Sequence, residues 1–157
     1  MSERIALIKN FYQAFRRRDW QTMAECYSDD ARFHDPVFHD LDANQVRTMW
    51  RMVFEHAENL EVRLDEIVEQ GDKIEAIWNS HYLFTPTGRQ VRNQVTTYFS
   101  FDEGKILTHV DDFDLWHWAA QVVGWPGRLF GWTIFVRSSI RDQAQAQLKR
   151  YMLNSLA

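Results

Sequence analysis

The stretch ARFHDPVFHD, residues 31–40, carries two His-Asp pairs, His34-Asp35 and His39-Asp40, on either side of Pro36. A second group, HVDDFD, runs from His109 to Asp114. Imidazoles and carboxylates this close together can hold a metal, exchange protons with a substrate, or finish turns at loop ends. The three uses make different demands. A metal needs three or four ligands converging on one point. A proton-exchange site needs a carboxylate held away from water, where its pKa rises toward values useful for a general base. A turn residue needs only nearby backbone amides.

Strand alternation separates these uses, because successive side chains point to opposite faces. In the short strand before Pro36, Phe33 and Asp35 share the face expected to turn inward, and Arg32 and His34 share the outer one. In the last strand, Leu107, His109, Asp111, Phe113 and Leu115 share one face, and Ile106, Thr108, Val110 and Asp112 the other. The heavier side chains go with His109 and Asp111. Asp35, His109 and Asp111 are therefore expected to converge, and His34, Asp112 and Asp114 to meet solvent or cap turns. The same alternation scatters His34, His39, His109, Asp111 and Asp112 over different faces, so no metal is expected. An Asp before Pro at a strand end has a plainer use as a turn or helix cap, and His109 a plainer one as a hydrogen-bonded pocket histidine.

The elements that hold these residues follow from hydrophobic period. Ile5, Ile8, Phe11, Tyr12 and Phe15 recur at helical spacing over residues 3–17, with Ser2 as cap. A second helix over about 19–28 starts at Asp19 and carries Trp20, Met23, Ala24 and Tyr27. A third, from Leu41 to about His56, puts Val46, Met49, Trp50 and Val53 on one face, with Asp40 or Asp42 near its start. The period then changes from 3.6 to 2. LEVRLDEIVEQ, DKIEAIWNSHYLF, RQVRNQVTTYFSF and KILTHVDDFDLW are rich in branched and aromatic residues, and turn signals separate them at Gly71, Pro86-Thr87-Gly88 and Asp102-Glu103-Gly104. Helices followed by an antiparallel meander make an α+β domain over residues 1–118.

A C-terminal extension, residues 119–157, opens with three of the six glycines and continues as a helix of about 25 residues. Trp132, Val136, Ile140, Ala144, Leu148 and Met152 fall every four residues, with Arg137, Arg141, Lys149 and Arg150 beside them. That pattern predicts an amphipathic helix packing on its own sheet or on a second subunit, with a membrane-surface role the lesser alternative.

Composition narrows the partners. The 157 residues are 45% hydrophobic and 15% aromatic, with seven Trp and eleven Phe, which excludes disorder and suits an apolar cavity as well as an ordinary aromatic core. A net charge of −4 without a basic block argues against nucleic acid. The single cysteine, Cys26, allows no internal disulfide and fits a reduced, cytoplasmic setting. No run is long and apolar enough to be a signal peptide or to span a membrane.

Two stretches carry a resemblance. IKNFYQAFRRRDWQTMAECYSDDARFHDP leads two helices into an Asp-Pro, and YFSFDEGKILTHVDDFD turns between the last two strands. Together they resemble the nuclear-transport-factor-2-like superfamily over about residues 3–116, the scaffold of ketosteroid isomerase, SnoaL-like polyketide cyclases, limonene-epoxide hydrolase and scytalone dehydratase. The resemblance implies a cone-shaped fold, helices on a curved antiparallel sheet around a pocket, and a homodimer formed through the sheet. The general base of ketosteroid isomerase matches Asp35. The oxyanion-hole tyrosine of that enzyme falls on Phe11, with Tyr12 one place away, and its protonated aspartate falls on Thr97. Both oxyanion donors are thus missing, which argues against steroid isomerisation. SnoaL-like cyclases work with an acid and a histidine, for which Asp111 and His109 are the candidates. The Asp–Arg–Asp arrangement of limonene-epoxide hydrolase lacks its Arg on the last strand. The extension resembles one in uncharacterised bacterial members.

The expectation is therefore a SnoaL-like protein with an apolar pocket lined by Phe11, Tyr12, Phe33, Trp50, Trp78, Tyr82, Thr97, Phe99 and Phe113. It would act on a small hydrophobic molecule as a cofactor-free isomerase, cyclase or hydrolase, with Asp35 as base and His109 and Asp111 assisting. The alternatives are a binder of such a ligand without chemistry, and a protein-interaction module.

Overall fold

A computed structural model describes residues 1–123 and 134–155 of the chain. Helix α1 (Glu3–Arg16) is capped by Ser2, whose hydroxyl accepts from the Ile5 amide, and it buries Ile8, Phe11, Tyr12, Ala14 and Phe15. Helix α2 (Trp20–Glu25) is capped by Asp19. Strand β1 (Tyr27–His34) and the two-residue β2 (Leu41–Asp42) precede α3 (Ala43–His56). Asp42 and Gln45 close a reciprocal capping box at the start of α3. Strands β3 (Ala57–Gln70), β4 (Lys73–Phe84), β5 (Arg89–Asp102) and β6 (Lys105–Asp112) then run as an antiparallel meander. Helix α4 (Leu115–Val123) follows, and α5 (Ile134–Ser155) ends the described chain.

The six strands form one curved, unclosed sheet in the order β2-β1-β6-β5-β4-β3. Every neighbouring pair is antiparallel except β1 and β6, which are parallel. A parallel pair needs a long crossover, and α3 with three strands supplies one. The α+β reading holds, with this parallel junction as its one departure from an antiparallel sheet. Extra residues in β3 break the register between Glu58 and Glu61 and between Leu64 and Glu66. Such bulges bend a strand, and the bent β3 packs against α1.

Phe11 sits at the centre of the core. Its ring meets Tyr12, Phe15, Tyr27, Trp50, Phe99 and His109 edge-on, at centroid distances of 5.4 to 6.5 Å. It is fully buried.

Several boundaries differ from the sequence reading. Tyr27 starts β1 instead of ending α2, because Cys26 already closes that helix and Tyr27 pairs with Ile106 across the sheet. Leu41 pairs with Phe33 as strand before Asp42 caps α3. The last strand stops at Asp112, since Asp114 Oδ1 accepts from the His117 amide and starts α4, a helix where the period had pointed to strand. Ile106 also turns inward rather than away from His109. Leu107 is the extra residue where Ser100 pairs with Thr108 and Phe101 with Ile106, and that bulge resets the alternation. The glycines at 124, 127 and 131, Trp132, and the side chains of Val136 and Arg137 lie outside the described residues.

Truncating the hub should unfold the molecule long before it affects any one element. Phe11→Ala is expected to cost about 3–5 kcal/mol in denaturant unfolding. A loss below about 1 kcal/mol would show that the aromatic cluster repacks without it.

Candidate active site

The helices and the inner sheet face enclose a cavity of about 200 Å³. One wall is α3, with Met49, Trp50, Val53 and His56, and the facing wall is β4 and β5, with Trp78, Ser80, Tyr82, Asn93 and Val95. Asp111 and Phe113 at the end of β6 and Trp118 of α4 close one side, and Asp35, Val37 and Phe38 of the turn after β1 another. The mouth is covered by α5, which contributes Ala144 and Gln147.

The covering helix is held by specific contacts. Arg141 Nε donates to the Pro36 carbonyl at 2.9 Å, Gln145 Nε2 to the His39 carbonyl at 3.4 Å, and Tyr151 Oη to Glu55 Oε1 at 2.6 Å. Leu148 is fully buried between them. The extension thus packs on α3 and on the turn after β1 of its own domain, not on the outer sheet face.

Asp35 combines two roles that the sequence left as alternatives. Its Oδ1 accepts from the amides of Val37 and Phe38, at 2.7 and 2.5 Å, which fixes the turn. Its side chain is also 8% exposed and part of the cavity wall. Both backbone donors sit on Oδ1, so Oδ2 is the oxygen left for a proton or a ligand. Burial raises this carboxyl to about 7; the two amides pull it down, and the charge of Asp111 adds to the rise.

Asp111 Oδ1 is where two donor chains end. An indole N–H can only donate. Trp50 Nε1 donates to Tyr27 Oη at 2.9 Å, so the tyrosine proton goes to His109 Nδ1, 2.8 Å away. Burial holds that phenol well above its usual range and so keeps its proton in place. The ring proton of His109 is therefore on Nε2, donated to Asp111 Oδ1 at 2.8 Å. In the second chain Trp78 Nε1 donates to Thr97 Oγ1 at 2.8 Å, and the Thr97 hydroxyl donates to the same oxygen at 2.5 Å. Both chains thus end on one oxygen of Asp111, with His109 held between the Tyr27 hydroxyl and that carboxyl.

The expected site residues divide accordingly. Asp35, Asp111, Trp50, Trp78, Tyr82 and Phe113 line the cavity. His109 is buried behind Asp111 and reaches the cavity only through it. Phe11, Tyr12, Phe33, Thr97 and Phe99, expected as lining, belong to the solid core beneath the floor, because the rings around Phe11 fill that volume. The Tyr12 hydroxyl is buried without a hydrogen-bond partner among the described residues. His34 and His39 stack on each other at 4.5 Å on the solvent side, where Asp40 pairs with Arg32. Among the described residues no three His, Cys, Asp or Glu side chains gather to hold a metal.

Tyr27 was missed, although its odd number puts it in phase with Ala31, Phe33 and Asp35. Ala144 lay on the apolar face of the last helix, but nothing local pointed it, Trp118 or Gln147 to the cavity. Their place is set by how α4 and α5 return over the mouth.

The sequence profile of the SnoaL-like domain matches residues 8–109. The chain belongs to the SnoaL-like domain family. No curated protein matches the SnoaL-like chain in sequence. Solved structures share its fold. TsrD from Streptomyces laurentii is 21% identical with a TM-score of 0.68, over 78% of this chain and 96% of its own. An epoxide hydrolase from M. tuberculosis, described as LEH-like, is 20% identical with a TM-score of 0.65, over 81% and 92%. A nuclear-transport-factor-2-like protein from Burkholderia pseudomallei is 23% identical with a TM-score of 0.66, over 73% and 92%. Among the described residues no helix of the SnoaL-like chain is long and apolar enough to cross a membrane.

The raised Asp35 carboxyl makes stability depend on pH. The fold favours the neutral acid, so this contribution is complete below the unfolded value of 3.8 and is lost as pH rises through about 7. Asp35→Asn keeps an oxygen for the two amides and cannot ionise. It is expected to match the parent near about pH 4 and to exceed it by on the order of 3 kcal/mol near about pH 8, in denaturant unfolding at both values. A parent that is the more stable protein near about pH 8 contradicts the buried-acid assignment.

Proposed function

We propose that this SnoaL-like protein is a cofactor-independent acid–base enzyme acting on a small apolar molecule, by isomerisation, cyclisation or hydrolysis. Asp35 is the group that exchanges a proton with substrate. Asp111 is the second carboxylate facing the same molecule. His109 is a positioning residue, acting through Asp111. The observation that carries the reading is a carboxyl raised to about 7 in an aromatic-walled cavity, with one oxygen anchored by the backbone and the other without a hydrogen-bond partner among the described residues. A base titrating near neutral pH is ionised often enough to act and basic enough to take a proton from carbon or water. The oriented tautomer of His109 and the fixed face of Asp111 suit the same chemistry, since neither reorganises when a charge develops nearby. The fold is shared with an M. tuberculosis epoxide hydrolase, in keeping with water activation as one of the reactions to test.

A binding role without turnover is favoured by one specific observation. The resemblance to ketosteroid isomerase sets Phe11 and Thr97 against its oxyanion donors, and both are sealed in the core here. A homodimer through the outer sheet face is in keeping with the exposed Tyr98 and Val110, which are cross-strand neighbours there.

Cyclic ketones, epoxides and phenolic polyketide mimics, incubated with the protein in deuterated buffer and followed by NMR, test the reading across three substrate classes. At least one class is expected to exchange or convert, with a rate that rises with pH through about 7 as Asp35 loses its proton. Asp35→Asn should remove about two to four orders of magnitude of that rate. Stabilisation of the fold by these compounds with no conversion would leave the binding role instead.

A further inference from the structure

The cavity wall is one-sided in charge. It contains two carboxylates, Asp35 and Asp111, and among its described lining residues there is no Lys or Arg. Arg141, beside the mouth, has its Nε on the Pro36 carbonyl instead. The indoles add to the asymmetry. Trp50 gives its N–H to Tyr27, Trp78 to Thr97, and Trp118 to Tyr82 Oη at 3.0 Å. Each indole's single polar donor is therefore committed elsewhere, and what these residues offer a guest is ring surface. Ring faces carry the negative side of the aromatic quadrupole. The donors that remain in the wall are neutral or titratable side chains, namely Ser80, Tyr82, His56, Asn93 and Gln147.

An anionic guest would meet two carboxylates and no fixed cation in a site shielded from water, where the repulsion is strong. A positive guest would meet carboxylate oxygens and ring faces together, the combination that recognises ammonium groups. We propose that the cavity selects a small organic cation, a quaternary or protonated amine, over its neutral and anionic isosteres. The inference rests on the reading of this cavity as the ligand site and names the ligand class for it.

The selectivity should depend on pH through the groups around Asp35. These are Asp111 from β6, His56 from α3 and Tyr82 from β4 in the wall. His109, Tyr27 and Tyr12 stand behind the wall, and His39 and Arg141 lie outside the turn. As pH rises Asp35 ionises, the wall gains a second negative charge, and a cation should bind more tightly.

Three isosteres of one shape test this on the full chain by titration calorimetry: choline, 3,3-dimethylbutan-1-ol and 3,3-dimethylbutanoate. Choline is expected to bind at least about tenfold more tightly than the alcohol near about pH 8.5, and the anion not to bind. Near about pH 5.5 the preference for choline should shrink severalfold, and Asp35→Asn should remove that pH dependence. Equal or tighter binding of the alcohol overturns the proposal, and so does failure of choline to bind at both pH values. Either result leaves the acid–base reading standing if neutral ketones or epoxides are converted. Choline binding, with no ketone, epoxide or phenolic polyketide mimic converted, supports the cation site and sinks the enzyme reading.

Discussion

The arrangement of the site depends on one oxygen atom. Asp111 Oδ1 receives the ends of two hydrogen-bond chains that start at indoles, and an indole has no second choice of role. Trp50 fixes Tyr27, Tyr27 fixes His109, and His109 meets Asp111, while Trp78 fixes Thr97 and Thr97 meets the same atom. Four elements, β1, α3, β5 and β6, converge on Asp111 through these bonds, with β4 contributing Trp78. Buried polar groups are expensive unless satisfied. Misplacing any of these elements would leave a donor or acceptor orphaned, so the network both orients the carboxylate and specifies how helix and sheet dock.

Around this network the interior divides into a filled part and a hollow part. Phe11 and its ring neighbours close the space under α1, so the cavity begins only beyond Trp50 and Trp78. Those two indoles belong to both regions, presenting rings to the hollow and N–H groups to the core. Phe11, which the resemblance sets against the tyrosine of ketosteroid isomerase, is spent here on packing beneath the cavity.

Much of the frame was legible because it is written in local rules. Ser2 and Asp19 announced two helix starts through their side chains, and Asp42, one of two aspartates read near the third, is the one that caps it. The inward phase of Phe33 and Asp35 follows from simple alternation, and the structure keeps it. Alternation failed at Ile106, where the bulge at Leu107 shifts the count by one, a feature with no residue signature. It also could not say where the cavity floor lies. Tyr12, Phe33 and Phe99 face inward as expected, but inward means both core and cavity, and only the packing of rings around Phe11 separates the two. Helix α4 was read as the tail of a strand because the apolar residues of DLWHW suit either period over so short a span. The closing of the mouth by α5 rests on contacts between residues about a hundred positions apart, such as Arg141 with Pro36, which no local pattern encodes.

The helix that closes the mouth and the acid inside it share a mechanical part. Arg141 and Gln145 grip the carbonyls of Pro36 and His39, and the amides between them, from Val37 and Phe38, are the ones that anchor Asp35. Moving the helix away would tug on that short turn and admit water to the carboxyl at the same moment. Rehydration removes the main reason for its elevated proton affinity. The helix that covers the mouth therefore also helps to exclude the water whose absence raises the Asp35 carboxyl.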